Sequence, residues 1–369
     1  MAKSDVLTPT HPDGWQKWVG RFVVAAIAGV FIGWLATNGT FSDLLSGRLT
    51  ASEVWGRFST VTTIFLGIFI EAAAFLLLGV LMSAIIQVFV TPDMLERWVP
   101  KNRIGASLMG AFMGLIFPVC ECGSVPAARR LLSKGAPLPL GIAFMLAAPV
   151  INPIVIISTW EAFGGDPWVV FGRLGLTVLI AVVIALVFSF HPDPQSLLTP
   201  AACPVPDDHH HDHDHDDHDH AHEHHHHDQA PVTWNDRGKA IASHSATEFF
   251  EMGQYVVFGA LIAALAQTIV PREVLLGIGG NPVTSVLVMM GLAVILSICS
   301  TVDAFVALSF ANTFGTGSIL AFLVYGPMID IKAVLLFTTT LKKHAVVLLV
   351  VLATVLAFLT TIWVNLNVG

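Results

Sequence analysis

The apolar positions of this chain come in long runs rather than in the alternating or 3.6-residue patterns of half-buried soluble elements. Val61–Val90, Leu138–Trp160, Trp168–Phe190, Thr247–Val270 and Ala345–Val364 each reach the ~20 residues that a helix needs to cross a bilayer. A shorter run, Phe22–Leu35, follows a polar N-terminus and lacks a small-residue cleavage site, so it reads as a retained first helix and not as a signal peptide. Ile104–Val119 and Ser124–Leu132 are apolar but short, and Pro-Val-Cys-Glu-Cys-Gly lies between them. The pattern therefore predicts an N-terminal segment with a first membrane helix (1–58), an apolar block (59–190), a polar linker (191–245) and a second apolar block (246–369). The linker is rich in Pro, Asp and His, has no helical periodicity and reads as disordered.

The two blocks repeat one another. Glu71, Gly79 and Gln87 match Glu251, Gly259 and Gln267 at identical spacings. Cys122-Gly-Ser-Val-Pro-Ala matches Cys299-Ser-Thr-Val-Asp-Ala, and Pro149-Val-Ile-Asn152 matches Pro327-Met-Ile-Asp330. Internal repeats are a recurring transporter architecture. The fold expected is an all-α integral membrane protein of two homologous transmembrane repeats, each with a broken or re-entrant helix hairpin.

Whether the repeats are inverted depends on those short segments, and the basic residues discriminate. If each pair of short segments enters and leaves on one side, Arg97, Lys101, Arg103, Arg129, Arg130 and Lys134 share that side with Lys3, Lys17, Arg21, Arg237, Lys239, Lys342 and Lys343. Only Arg48, Arg57, Arg173 and Arg272 lie opposite, and Lys332 falls inside the membrane. Full crossings give a nearly even split. Cytoplasmic loops carry the Lys/Arg excess, so the hairpin arrangement is favoured. It makes the repeats inverted, with seven crossings, a cytoplasmic N-terminus and linker, and the C-terminus outside.

Composition agrees, with 54% hydrophobic and 12% charged residues against roughly 25% charged in soluble domains. The net charge of −8 owes much to the Asp/His stretch and does not describe the rest of the chain. Nothing basic and interleaved with aromatics suggests nucleic acid. Four cysteines are too few and too oddly placed for a disulfide scaffold. The partner expected is the lipid bilayer with a small ion or metalloid substrate; a homo-oligomer stays open.

The chemistry gathers at the breaks. Irregular backbone at membrane depth survives only where protein or a watery cavity satisfies it. Pro118-Val-Cys120-Glu121-Cys122-Gly123 and Ser297-Ile-Cys299-Ser300-Thr301-Val302-Asp303 are such places. Each would free carbonyls at one half-helix end and N–H groups at the other. Cys120 and Cys122 diverge by about 200° on a helix but can point together in a broken segment. Thiolates there suit soft ions or a trivalent metalloid, although Cys is also a common small buried residue. A carboxylate at the bilayer centre costs roughly 2.5–3.5 kcal/mol on insertion scales, which singles out Glu121 and Asp303 and raises the same question for Glu71, Glu251 and Asp330. Structural hydrogen bonds or ion pairs are the competing explanation for the latter three. Asp330 and Lys332 are not expected to pair with each other, because positions i and i+2 do not face one another on a helix. Asn152 and Asp330 follow prolines, where they could answer a freed carbonyl or face the substrate.

The linker holds His209, His210, His211, His213, His215, His218, His220, His222, His224, His225, His226 and His227 among acids. Imidazole with carboxylate suits Zn, Cu, Ni or Co, and the flexible spacing fits a metal-collecting loop. Cys203 lies just upstream. A spacer without chemistry is the plain alternative.

Phe117-Pro-Val-Cys-Glu-Cys-Gly-Ser-Val-Pro126, Gly135-Ala-Pro, Ala148-Pro-Val-Ile-Asn-Pro153, Cys299-Ser-Thr-Val-Asp-Ala-Phe-Val and Gly326-Pro-Met-Ile-Asp-Ile-Lys332 resemble the predicted permeases of the YraQ/ArsP type over both blocks. The resemblance implies a membrane permease. Some members are linked to efflux of trivalent organoarsenicals through membrane cysteines, others to copper or zinc efflux. The thiol role then falls on Cys120 and Cys122. Glu121 stands where the family commonly has a small residue such as Ser, which points toward a cation.

The expectation is a non-enzymatic exporter of a soft or borderline metal ion or metalloid in a bacterial inner membrane, coupled to protons. No cofactor is required; a metal ion enters as substrate or as linker ligand. The chain has no Gly-x-x-x-x-Gly-Lys-[Ser/Thr] sequence for direct ATP use. A transporter of an organic or sulfur-containing anion and a membrane thiol oxidoreductase are the alternatives.

Overall fold

The computed structural model describes residues 51–203, 234–269, 281–311 and 313–367. Phe22–Leu35 and the histidines His209–His227 lie outside them. Among the described residues, five helices are long and apolar enough to cross a membrane: Phe58–Phe89, Pro167–Ser189, Ser245–Thr268, Thr316–Thr340 and Lys343–Asn367. Among the described residues there is no β-strand, only an isolated antiparallel bridge between Leu198 and Leu341.

In the first block, α1 (Ala51–Phe89) and α2 (Pro92–Trp98) are followed by α3 (Arg103–Phe112), which tightens into a 3₁₀ turn at Met113–Leu115. Then come α4 (Glu121–Ser133), α5 (Leu138–Ala147), α6 (Pro153–Ala162) and α7 (Pro167–Ser189). The second block runs α8 (Trp234–Ile269), α9 (Pro282–Leu296), α10 (Asp303–Leu308), α11 (Thr316–Met328), α12 (Ile331–Thr340) and α13 (Lys343–Asn367). Many starts are written locally as a capping residue followed by proline. Thr91-Pro92, Asn152-Pro153 and Asp166-Pro167 each set a side-chain oxygen on a first-turn N–H, with proline where no N–H is needed. At Asn281-Pro282 the cap is reciprocal, with the Asn281 N–H donating to the Thr284 hydroxyl at 3.2 Å.

The same pairings recur in both blocks. α3, α5 and α7 pack on one another, and so do their counterparts α9, α11 and α13. The long helices α1 and α8 lie against each other. Other contacts also cross between the blocks: α7 packs on α11 and α13, α4 on α12, and α10 on α6. The repeated glycines explain how close the long helices come. A Cβ on Gly79 would stand 2.1 Å from the Cα of Gly123, and one on Gly259 would stand 2.9 Å from the Cα of Lys332. Each long helix thus touches backbone beside a break or its cross-block partner.

The outward faces of α7 and α13 remain apolar. Trp168, Phe171, Phe190, Val347, Val351, Leu359 and Trp363 are all exposed. A protein can leave so broad an apolar surface uncovered when lipid covers it.

Within the segment expected to be a disordered linker, the described residues 191–203 and 234–245 take up structure, and residues 204–233 lie outside those described. Residues 194–202 form two short 3₁₀ turns, and α8 already begins at Trp234. Leu197, Leu198 and Ala202 are buried. Thr199 donates its N–H to the Thr340 carbonyl at 3.0 Å, and Lys342 donates to Leu197 at 2.9 Å. This strap closes the corner between α12 and α13. A few leucines in a polar stretch show no periodicity, yet they supply apolar burial enough to dock it.

Candidate functional site

Both breaks exist where the residues place them. The first spans Ile116–Cys120, between the 3₁₀ turn and α4; the second spans Ser297–Val302, between α9 and α10. They meet. The Cys120 side chain lies within interaction range of those of Cys122 and Cys299, so thiols from both blocks are neighbours. All three are free, and they are 3%, 1% and 4% exposed, which makes the cluster occluded. Cys120 is the N-cap of α4 and keeps an extended backbone, φ −84° and ψ −178°. That local geometry brings Cys120 and Cys122 together where a continuous helix would separate them. Thr301 donates its hydroxyl to the Cys299 sulfur at 3.6 Å, and Glu71 of α1 lies beside Cys299.

A charged cluster adjoins the thiols. Lys332 is 2% exposed; its Nζ donates to the Ser297 carbonyl at 2.7 Å and stands 3.4 Å from Asp330 Oδ2 and 3.7 Å from Glu121 Oε1. The expectation that Asp330 and Lys332 would not pair is thus corrected. Asp330 is not inside the helix but is its N-cap, with φ −129° and ψ 173°, so the helical i, i+2 rule does not apply. Its Oδ1 accepts the Ala333 N–H at 2.6 Å, and its Oδ2 accepts the Ser297 hydroxyl at 2.7 Å. Ser297 holds φ +48°, the one positive φ at a non-glycine position among the described residues. Gln267 of α8 donates to the Leu296 carbonyl at 2.7 Å and so satisfies the broken end of α9. Glu121 Oε2 is buried with no hydrogen-bond partner.

Asp303 sits on the other flank. It opens α10 and pairs with Arg173 of α7 at 2.7 Å, both side chains being almost wholly buried. Arg173 also donates to the Thr159 hydroxyl at 2.8 Å, while Asp303 Oδ1 has no partner. Arg173 was counted above only as a basic residue on the outer side. A lone arginine inside the apolar run Trp168–Phe190 was the available signal.

The remaining candidates stand apart. Asn152 caps α6, accepting the Ile154 N–H at 3.0 Å. Glu251 pairs with Arg129 at 2.8 Å and belongs to a second ionic group, in which Glu248 accepts the Ser83 hydroxyl at 2.6 Å and approaches Arg130 at 3.5 Å. So the repeat mates Glu71 and Glu251 do different things. Among the described residues, no group of three or more His, Cys, Asp or Glu side chains stands in metal-holding geometry.

Against this geometry, a family model described as a predicted permease, ArsP_1, matches residues 57–366. The chain belongs to this family. The permease is 46% identical over 293 residues to the UPF0718 protein YcgR of Bacillus subtilis, covering 79% of this chain and 92% of that one. It is 39% identical over 280 residues to a Streptococcus mutans protein provisionally named a two-component membrane permease complex subunit, covering 76% and 86%. A shorter match, 29% over 80 residues, joins the permease to the UPF0718 protein YraQ of Escherichia coli and covers 22% and 23%. No solved structure matches the chain.

Proposed function

We propose that the permease exports a thiophilic cargo, a soft or borderline metal ion or a trivalent metalloid, across a bacterial inner membrane. The observation that carries this reading is the meeting of Cys120 and Cys122 with Cys299 from the other block, beside the partnerless oxygen of Glu121. Soft ions prefer thiolates, and trivalent arsenic takes sulfur ligands in preference to oxygen. Cargo would draw the three thiols into a binding set and release their protons, so exchange of cargo for protons is a natural coupling, with Glu121 as carrier. Glu71 and Asp303 border the same point.

The two blocks act as inverted halves with re-entrant hairpins at α3–α4 and α9–α10, and rocking about the α4–α12 and α10–α6 contacts alternates access. The histidines of 209–227 gather metal on the cytoplasmic side. A second subunit, as the name of the Streptococcus relative suggests, would complete the assembly. An anion cargo fits less well, because the buried cations nearest the breaks, Arg173 and Lys332, already face carboxylates. A thiol oxidoreductase fits less well too, because its cysteines need exposure and these are buried.

The test is a panel of metal and arsenical sensitivities in a deletion strain carrying wild type, Cys120→Ser/Cys122→Ser, Cys299→Ser or a deletion of 207–228. Wild type should protect against at least one thiophilic toxicant. The double-Ser variant should lose that protection, and the linker deletion should weaken it. Equal protection by the double-Ser variant against every toxicant sinks the thiol mechanism.

A further inference from the structure

The ammonium of Lys332 occupies what is otherwise an oxygen-lined cation site. Oxygens close to it are the Ser297 carbonyl at 2.7 Å, the Asp330 carboxylate at 3.4 Å and the Glu121 carboxylate at 3.7 Å. Backbone carbonyls at a broken helix, joined by carboxylates, are how transporters hold coupling cations in the membrane. The oxygens here are organised in advance. The left-handed backbone of Ser297 accompanies its carbonyl's contact with Lys332, and strain of this kind persists where surrounding structure over-determines it. The Ser297 hydroxyl and the Ala333 N–H fix both oxygens of Asp330. Gly259 lets α8 close over the Lys332 backbone, so the ammonium enters as part of the packed α12.

We infer that Lys332 is a tethered substitute for an alkali-metal cation, and that taking away its ammonium opens a sodium or potassium site formed by Glu121, Asp330 and the Ser297 carbonyl. The permease carries this cation within the chain and draws no alkali-metal ion from solution to this site. Hard cations favour an all-oxygen set of this kind over the neighbouring thiols. The inference uses no cysteine, so it stands or falls separately from the export reading.

The experiment follows thermal unfolding of the purified full-length chain by tryptophan fluorescence, in choline, sodium or potassium chloride at equal ionic strength. It is run at alkaline pH, where protons compete less for vacated carboxylates. Wild type should unfold at one temperature in all three salts. Lys332→Met should gain a saturable stabilisation by sodium, potassium or both, on the order of 5 °C at saturation. Asp330→Asn/Lys332→Met keeps the local charge balance but loses a ligand, and should not respond. Cys120→Ser/Cys122→Ser/Lys332→Met should respond as Lys332→Met does, even if the thiol mechanism has failed. A Lys332→Met protein that survives purification only in sodium or potassium also supports the inference. It is overturned if Lys332→Met responds no more than wild type, if it fails to fold equally in all three salts, or if wild type itself shows the saturable response.

Discussion

The two breaks share a plan and differ in what they carry. The first leads into α4, thirteen residues that are mostly buried and whose opening Cys-Glu-Cys brings two thiols and an acid. The second leads into α10, six residues with Phe305 and Leu308 exposed, and brings one thiol and a different acid. The acids are not repeat mates: aligning Cys122 with Cys299 sets Glu121 against Ile298 and Asp303 against Pro126. Each acid nonetheless occupies the first residue of its helix, where unpaired N–H groups and the dipole favour negative charge. Each also finds its cation in the other block, Glu121 at Lys332 and Asp303 at Arg173. The two blocks share the backbone device, while their side chains differ so that Glu121 and Asp303 each pair across the blocks.

The largest effect should come from breaking the more fully buried of these cross-block pairs. Arg173→Met strands Asp303 in a site 2% exposed to surroundings, and loss of one partner of such a pair costs about 3–5 kcal/mol. Arg173→Met/Asp303→Asn should recover most of that loss, as read by thermal unfolding in detergent. Equal instability of single and double variants would mean that the volume of the Arg173 side chain, and not its charge, supports this site.

Next comes the pair of N-caps. Asn152 only caps α6, so Asn152→Ala should cost about 1 kcal/mol. Asp330 caps α12, accepts the Ser297 hydroxyl and balances Lys332, so Asp330→Ala should cost about 3 kcal/mol or more. Similar losses at the two positions would show that the second block's network adds nothing to its cap.

Ser297 sharpens the contrast further. Ser297→Ala forfeits a hydrogen bond to a buried carboxylate, about 1.5–3 kcal/mol. Ser297→Gly forfeits the same bond but relieves the left-handed backbone, worth about 1 kcal/mol. The glycine variant should therefore be the more stable of the two, against the usual order for a buried position. The reverse order would mean that the conformation carries no strain.

Local features were legible in the chain, and docked ones were not. The breaks announce themselves as Pro, Gly and polar residues inside apolar runs, and the caps as Thr, Asn or Asp before proline. The thiol cluster was foreseeable once the repeats were aligned, because Cys122 and Cys299 hold equivalent places. The Arg173–Asp303 pair was not, since its members lie 130 residues apart and come together only because α6 packs on both α7 and α10. The Asp330–Lys332 pair was missed for a local reason: the helical i, i+2 rule fails across Asp330, which caps the helix and does not lie inside it. The strap at 194–202 was missed because its docking depends on three buried apolar side chains that make no pattern.

The smallest stability change is expected where identical spacing was most persuasive. Glu71 and Glu251 match in register, yet Glu71 reaches Cys299 while Glu251 holds Arg129 from a side chain 39% exposed. An ion pair that accessible is worth about 0–1 kcal/mol, so Glu251→Gln should barely move the unfolding temperature. It should also leave toxicant protection intact. Glu71→Gln should likewise be tolerated by the fold, because an amide can keep a hydrogen bond to the thiol, but it removes a charge beside the cargo's path and should reduce protection severalfold. Equal protection by the two variants would return Glu71 to the structural role its mate plays, and would leave Glu121 as the carboxylate that works with the thiols.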